Sequence, residues 1–189
     1  MYWSWKCLRL SVLGVMGVFF AGALAAQDVV DMFMEIPDIP GESTTSGYEG
    51  KIDIESINWG LNKEIDTSGD GRATGRAVFK DLTVRKYYDA SSPLLALACA
   101  RGDAIARLTL TSRRQAGGET QPYLVIELKN VLVTSYQTSA SRGDSAQEPV
   151  ETVAMNFEEI KITYKQRNGA GDLTENIEFN WNVVTGTGG

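Results

Sequence analysis

The chain has 189 residues, carries 18 Lys and Arg against 24 Asp and Glu, and contains no histidine. Without imidazole, Ser-His-Asp and Cys-His catalysis and the usual zinc sites are excluded, and the acidic balance speaks against a nucleic-acid partner. The length suits one domain with a real hydrophobic core.

Lys6 and Arg9 precede an uncharged run, LSVLGVMGVFFAGAL, that leads into Ala23-Leu24-Ala25. A basic start, an apolar stretch and small residues at a cleavage point predict a secretory signal peptide over residues 1–25. The run is short for a membrane-spanning helix, which needs about twenty apolar residues. Cleavage is expected after Ala25 or Ala26. It removes two cations and no acid, so the net charge goes from 18 − 24 = −6 to 16 − 24 = −8. Residues 26–189 are then expected to form one secreted or periplasmic domain, free of the membrane. Its one cysteine is Cys99, whose apolar setting, LLALACARG, predicts a buried, inert thiol.

In chain order, KIDIESINWGL places Ile52 and Ile54 on one strand face, then shifts to Ile57, Trp59 and Leu61. DTSGDGRATG follows at 66–75. Asp66, Ser68 and Asp70 at alternate positions with Gly71 next resemble the opening of an EF-hand calcium loop, whose closing glutamate belongs at position 12. That place is Ala77. The flanks, SINWGLNKE and RAVFKDLTVRKYY, read as strands, so the stretch is predicted to be a polar connection between strands, without metal.

Ser92 as N-cap, Pro93 at the first helical position and Gly102 as terminator predict a helix of about two turns. Period-two alternation returns with Ala106, Leu108 and Leu110, and again with Leu124, Ile126 and Leu128 against Glu127 and Lys129. In VETVAMNFEEIKITYK the apolar set passes from Val153, Met155 and Phe157 to Ile160, Ile162 and Tyr164, which predicts a bulge at Glu158-Glu159. NIEFNWNV aligns Ile177, Phe179, Trp181 and Val183, with the tryptophans as core residues. Polar, glycine-rich connections between long strands predict a mainly β fold, an antiparallel barrel or sandwich with one short helix. The acids fall on polar positions of strands and loops, and none stands out as a buried group. No catalytic residue, cofactor or metal ligand is expected.

Several stretches together resemble the Hcp family (haemolysin-coregulated protein), the tube protein of type VI secretion systems. They are VDMFMEIPDIPGES (30–43), SINWGL (56–61), KDLTVRKYYDASSPLLALACARG (80–102), ELKNVLVTSY (127–136), VAMNFEEIKITYK (153–165) and EFNWNV (178–183). The resemblance implies a compact β-barrel with a short helix, hexameric rings with a central channel that stack into a tube, and no catalysis. It also implies secreted effector proteins as possible cargo. For the loop Asp66, Thr67, Ser68, Gly69, Asp70, Gly71 and Arg72 it implies a ring-to-ring contact, against the alternative of a solvated hairpin loop. Family members typically begin near the equivalent of Val30 and assemble in the cytoplasm, so the leader is a departure. The chain is either an exported ring or tube protein, or a cytoplasmic one whose leader reflects start-site choice. Two other functions are a ring-shaped carrier of a small protein or peptide, and a carboxylate glycosidase with two acids at one cleft.

Overall fold

The computed structural model describes residues 30–66, 73–116, 119–141, 148–169 and 172–189; the predicted signal peptide lies outside them. Twelve strands and one helix follow in order: β1 (Asp31–Glu35), β2 (Ile52–Ile54), β3 (Ser56–Asn58), β4 (Leu61–Asp66), β5 (Ala73–Phe79), β6 (Leu82–Tyr87), α1 (Ser92–Arg101), β7 (Ile105–Ala116), β8 (Glu119–Ser139), β9 (Val150–Asn156), β10 (Glu159–Arg167), β11 (Leu173–Asn182) and β12 (Thr187–Gly188). The main sheet runs β12–β11–β10–β8–β7–β1–β2, and β8 also enters a second path, β8–β9–β6–β3. Strands β4 and β5 pair only with each other. The pairings are antiparallel, as the alternating sequence pattern predicts.

One long strand, β8, therefore serves both paths, and it changes direction to do so. Asn130 has φ +49°, and the buried face of β8 shifts there from Leu128 to Val131. Directly opposite, the buried set shifts from Phe157 to Ile160. The expected bulge at Glu158-Glu159 is not an extra residue. The register is unchanged across the site, three residues separating Leu132↔Asn156 from Lys129↔Glu159 on both sides, and the Glu158 amide donates to Lys129 O at 3.1 Å. Both strands kink together, so neither gains a residue; the bulge on β8 lies between Val133 and Ser135.

Met34, Ile52, Leu82, Leu95, Leu128 and Met155 are among the fully buried side chains at the centre. Helix α1 packs on β8, contributing Leu95 and Ala98 to the core. Burying a leucine fully stabilises by about 1.5–3 kcal/mol, so Leu95 alone is a substantial tether for a short helix. The cap is Ser91, not Ser92, and its side chain makes no capping bond to the helix. Gly102, at φ 68°, ends the helix as predicted, and its amide donates to Ala98 O. Cys99 is half-buried against the core and not fully enclosed. Trp59 and Trp181 pack against the core, whereas Leu61 and Ile177 point outward because they lie beyond its edge.

Candidate functional surfaces

Among the described residues, a strongly charged interior cluster holds the helix in place. Lys86 shares the inward parity of Leu82 and Val84 on β6, and Glu151 shares that of Val153 and Met155 on β9; both side chains are fully buried. Lys86 Nζ donates to Tyr87 O (2.8 Å), Asp89 Oδ1 (2.7 Å) and Ser92 Oγ (3.1 Å), and lies 2.7 Å from Glu151 Oε1. Asp89 Oδ1 also accepts from the Ser91 amide (2.9 Å) and hydroxyl, and Ser92 Oγ accepts from the Asp89 amide. The other Glu151 oxygen accepts from Tyr136 OH at 2.7 Å. Burial, joined by the Glu151 carboxylate, pushes the Tyr136 phenol up to about 12. Every member has a partner, so the cluster is a buried staple joining β6, β8, β9 and α1, with no group left to act on a ligand. Contrary to the sequence reading, not all acids lie on solvated faces; strand parity was the signal that could have placed Glu151 inside.

No group of three or more His, Cys, Asp or Glu that could hold a metal occurs among the described residues. Asp66 ends β4, and Thr67, Ser68, Gly69, Asp70, Gly71 and Arg72 lie outside the described residues. Ala77, at the place of the missing calcium ligand, sits in β5 opposite Lys63. A glycosidase would need one carboxyl held protonated near neutrality. Glu127 and Glu159 do share a cleft of about 330 Å3 with Lys129 and Lys161. There, Lys129 at 2.7 Å, with help from Asn182, holds the Glu159 carboxyl below its usual range, the reverse of a general acid.

The remaining features are surfaces. On α1, Leu94 and Leu97 face outward, beside a cleft of about 540 Å3 bounded by Pro37, Ile39 and Ile105 with Arg101 and Asp103 at its rim. Toward one end of the main sheet, β11 is paired to β10 along its length, and among the described residues β12 covers its second edge only at Trp181 and Asn182. Among the described residues no strand pairs with the β11 edge over residues 173–179. Tyr164 and Ile177, cross-strand partners, are exposed beside it, as is Leu173.

A family model described as "Type VI secretion system effector, Hcp" matches residues 33–164. The chain belongs to the Hcp family. It is 35% identical over 157 residues to "Protein hcp1" of Pseudomonas aeruginosa, covering 82% of this chain and 95% of that protein. A solved "Structure of a type six secretion system protein" superposes with a TM-score of 0.79 at 27% identity, over 85% of this chain and all of the other. The crystal structure of Hcp1 from Salmonella typhimurium gives 0.69 at 25% identity, over 84% and 98%. As an Hcp, the chain is a tube-type protein of type VI secretion with an antiparallel β fold, and the family is not one of enzymes.

Proposed function

We propose that this Hcp closes into hexameric rings by head-to-tail contact of its two flanks, that the rings stack into a tube, and that it does so after export. The observation that carries the reading is the open β11 edge with Ile177 and Tyr164 beside it. An unpaired strand edge with exposed apolar side chains, here Leu173 and Ile177, templates association with another chain, and proteins normally cover or blunt such an edge. The other terminal strands of the larger sheet are short: β2 and β3 have three residues each and β12 has two, while the β4–β5 hairpin also keeps its outer edges unpaired among the described residues. The apolar face of α1 lies on a different element, so the two patches suit a heterologous interface, in which one surface of each copy meets another surface of the next and rotation closes a ring. The Asp66–Arg72 loop, carried at the end of the free β4–β5 hairpin, is the part assigned to ring-to-ring contact, its glycines giving reach and backbone freedom.

Light scattering on the purified chain tests ring closure, with about six chains per particle expected and annular particles by microscopy. A monomer at micromolar concentration would overturn it. N-terminal analysis of protein from separated cell fractions tests export: an N-terminus at Ala26 or Gln27 outside the cytoplasm is the expected result, and an intact leader in the cytoplasm defeats it.

A further inference from the structure

A two-stranded hairpin is marginal by itself in water, so the direction in which β4–β5 leaves the barrel must be set by what grips it. At its base the grip is aromatic. Phe79 stacks on Trp181 with ring centres 6.1 Å apart, meets Phe157 edge-on at 6.5 Å, and has Trp59 at 6.1 Å. Farther out, Arg76 Nη2 donates to two consecutive carbonyls of the segment after β11, Val183 O at 2.5 Å and Val184 O at 2.8 Å. Neither contact is incidental to the local backbone. Between the pairs Lys63↔Ala77 and Ile65↔Thr74 two residues of β5, Gly75 and Arg76, face one of β4, so a bulge lies there, and bulges re-aim the side chains they carry. The receiving turn is itself fixed: Asn182 Oδ1 accepts from the Thr185 amide at 2.8 Å, Asn182 O accepts from the Gly186 amide, and Gly186 closes the turn at φ 70°. A planar guanidinium reaching adjacent carbonyls is a directional contact, which a flexible ammonium reproduces only in part.

We propose that Arg76 is a positioning residue: it latches the β4–β5 hairpin to the 183–184 turn, fixing the angle at which the hairpin projects, and thereby permits rings to stack without taking part in closing them. The latch is a property of the single chain; its consequence for stacking rests on the reading that rings meet through this hairpin. Arg76 is exposed and no part of the hydrophobic core, so its loss leaves the barrel and the ring intact while freeing the hairpin to swing about Phe79.

The test compares wild type, Arg76→Ala and Arg76→Lys by four measurements on the purified chain: hydrogen exchange of residues 61–66, 73–79 and 183–188, a thermal melt, ring mass by light scattering, and stack length by electron microscopy. For Arg76→Ala the expected result is exchange roughly tenfold faster in those segments alone, unchanged ring mass and melting temperature, and loss of stacks. Arg76→Lys should fall between. Unchanged exchange in Arg76→Ala overturns the latch. Faster exchange with stacks of normal length overturns its role in stacking. If wild type forms no ring, the tube reading fails by itself, and exchange still decides the latch.

Discussion

Lys86 Nζ and Glu151 Oε1 lie 2.7 Å apart with both side chains wholly buried. Asp89, 13% exposed, sits on the other side of the ammonium at 2.7 Å. One cation therefore answers two carboxylates in the interior. Breaking such a cluster from the cation side strands both acids, and uncompensated buried charge typically costs about 3–5 kcal/mol. Lys86→Met is expected to lower the melting temperature by on the order of 10 °C. Replacing both partners by Lys86→Met with Glu151→Leu removes the stranded charge at β9 and should be milder than the sum of the single changes. A thermal melt of the four proteins forming that cycle measures the coupling. Additive losses would mean that the pair does not interact.

The Tyr136 phenol makes stability fall at alkaline pH. Its pKa is raised to about 12 in the folded chain, first by burial and then by Glu151, against an ordinary value near 10. The folded state thus keeps its proton where the unfolded chain has lost it. Stability from this group is fully present below about pH 10 and is lost as pH climbs through 12. Urea midpoints of wild type and Tyr136→Phe, taken between pH 8 and 12, should converge as pH rises. The variant starts lower, because Glu151 Oε2 loses its donor, but it lacks the alkaline slope.

Much of this architecture was legible in the chain. Alternation at Leu108 and Leu110, and at Ile126 and Leu128, reports the buried sheet face because side chains of a strand point to opposite faces in turn. The same rule contained the buried staple: Glu151 stands in step with Val153, Met155 and Phe157, and Lys86 with Leu82 and Val84. Composition, which sends charges to the surface, outweighed parity there. The break at Glu158 was legible as a change of face, but its nature was not. A single strand reads the same whether it gains a residue or kinks in step with its neighbour, and the deciding partner, Asn130 at φ +49°, lies nearly thirty residues away. Surfaces were the least legible part. That β11 keeps an open edge depends on where β12 stops, a fact of pairing which no local pattern encodes.

Gly41 has no room for a side chain. A Cβ there would meet main-chain atoms only, Lys51 O and, within 3 Å, the Ile52 Cα and amide. These atoms cannot turn aside as a flexible side chain can. The strip is also bonded in place, with the Gly41 amide donating to Gly50 O at 2.8 Å and the Ser43 amide to Lys51 O at 3.0 Å. Gly41→Ala is expected to force the strip off β2 and cost about 1–3 kcal/mol, the usual range for overpacking. A lower urea midpoint at unchanged slope is the signature; an unchanged midpoint would show that the strip yields freely.

A head-to-tail ring makes a stricter prediction than loss of assembly. Leu97 on α1 and Ile177 beside the β11 edge are exposed in the single chain, so Leu97→Glu and Ile177→Glu should each leave the melting temperature of the isolated chain nearly unchanged. In an assembly each buries an unpaired charge at every contact, which is costly enough to leave monomers. The mixture differs from either alone. A Leu97→Glu chain keeps a sound β11 flank and an Ile177→Glu chain keeps a sound α1 flank, so one intact heterologous contact remains between them, and the outer flanks of the pair carry like charges that repel. Mixed in equal amounts, the two monomers should form a species of two chains by light scattering and no larger one. Mixed monomers that stay single would show that these two flanks do not face each other, and full rings from either variant alone would show that its flank lies outside the contact.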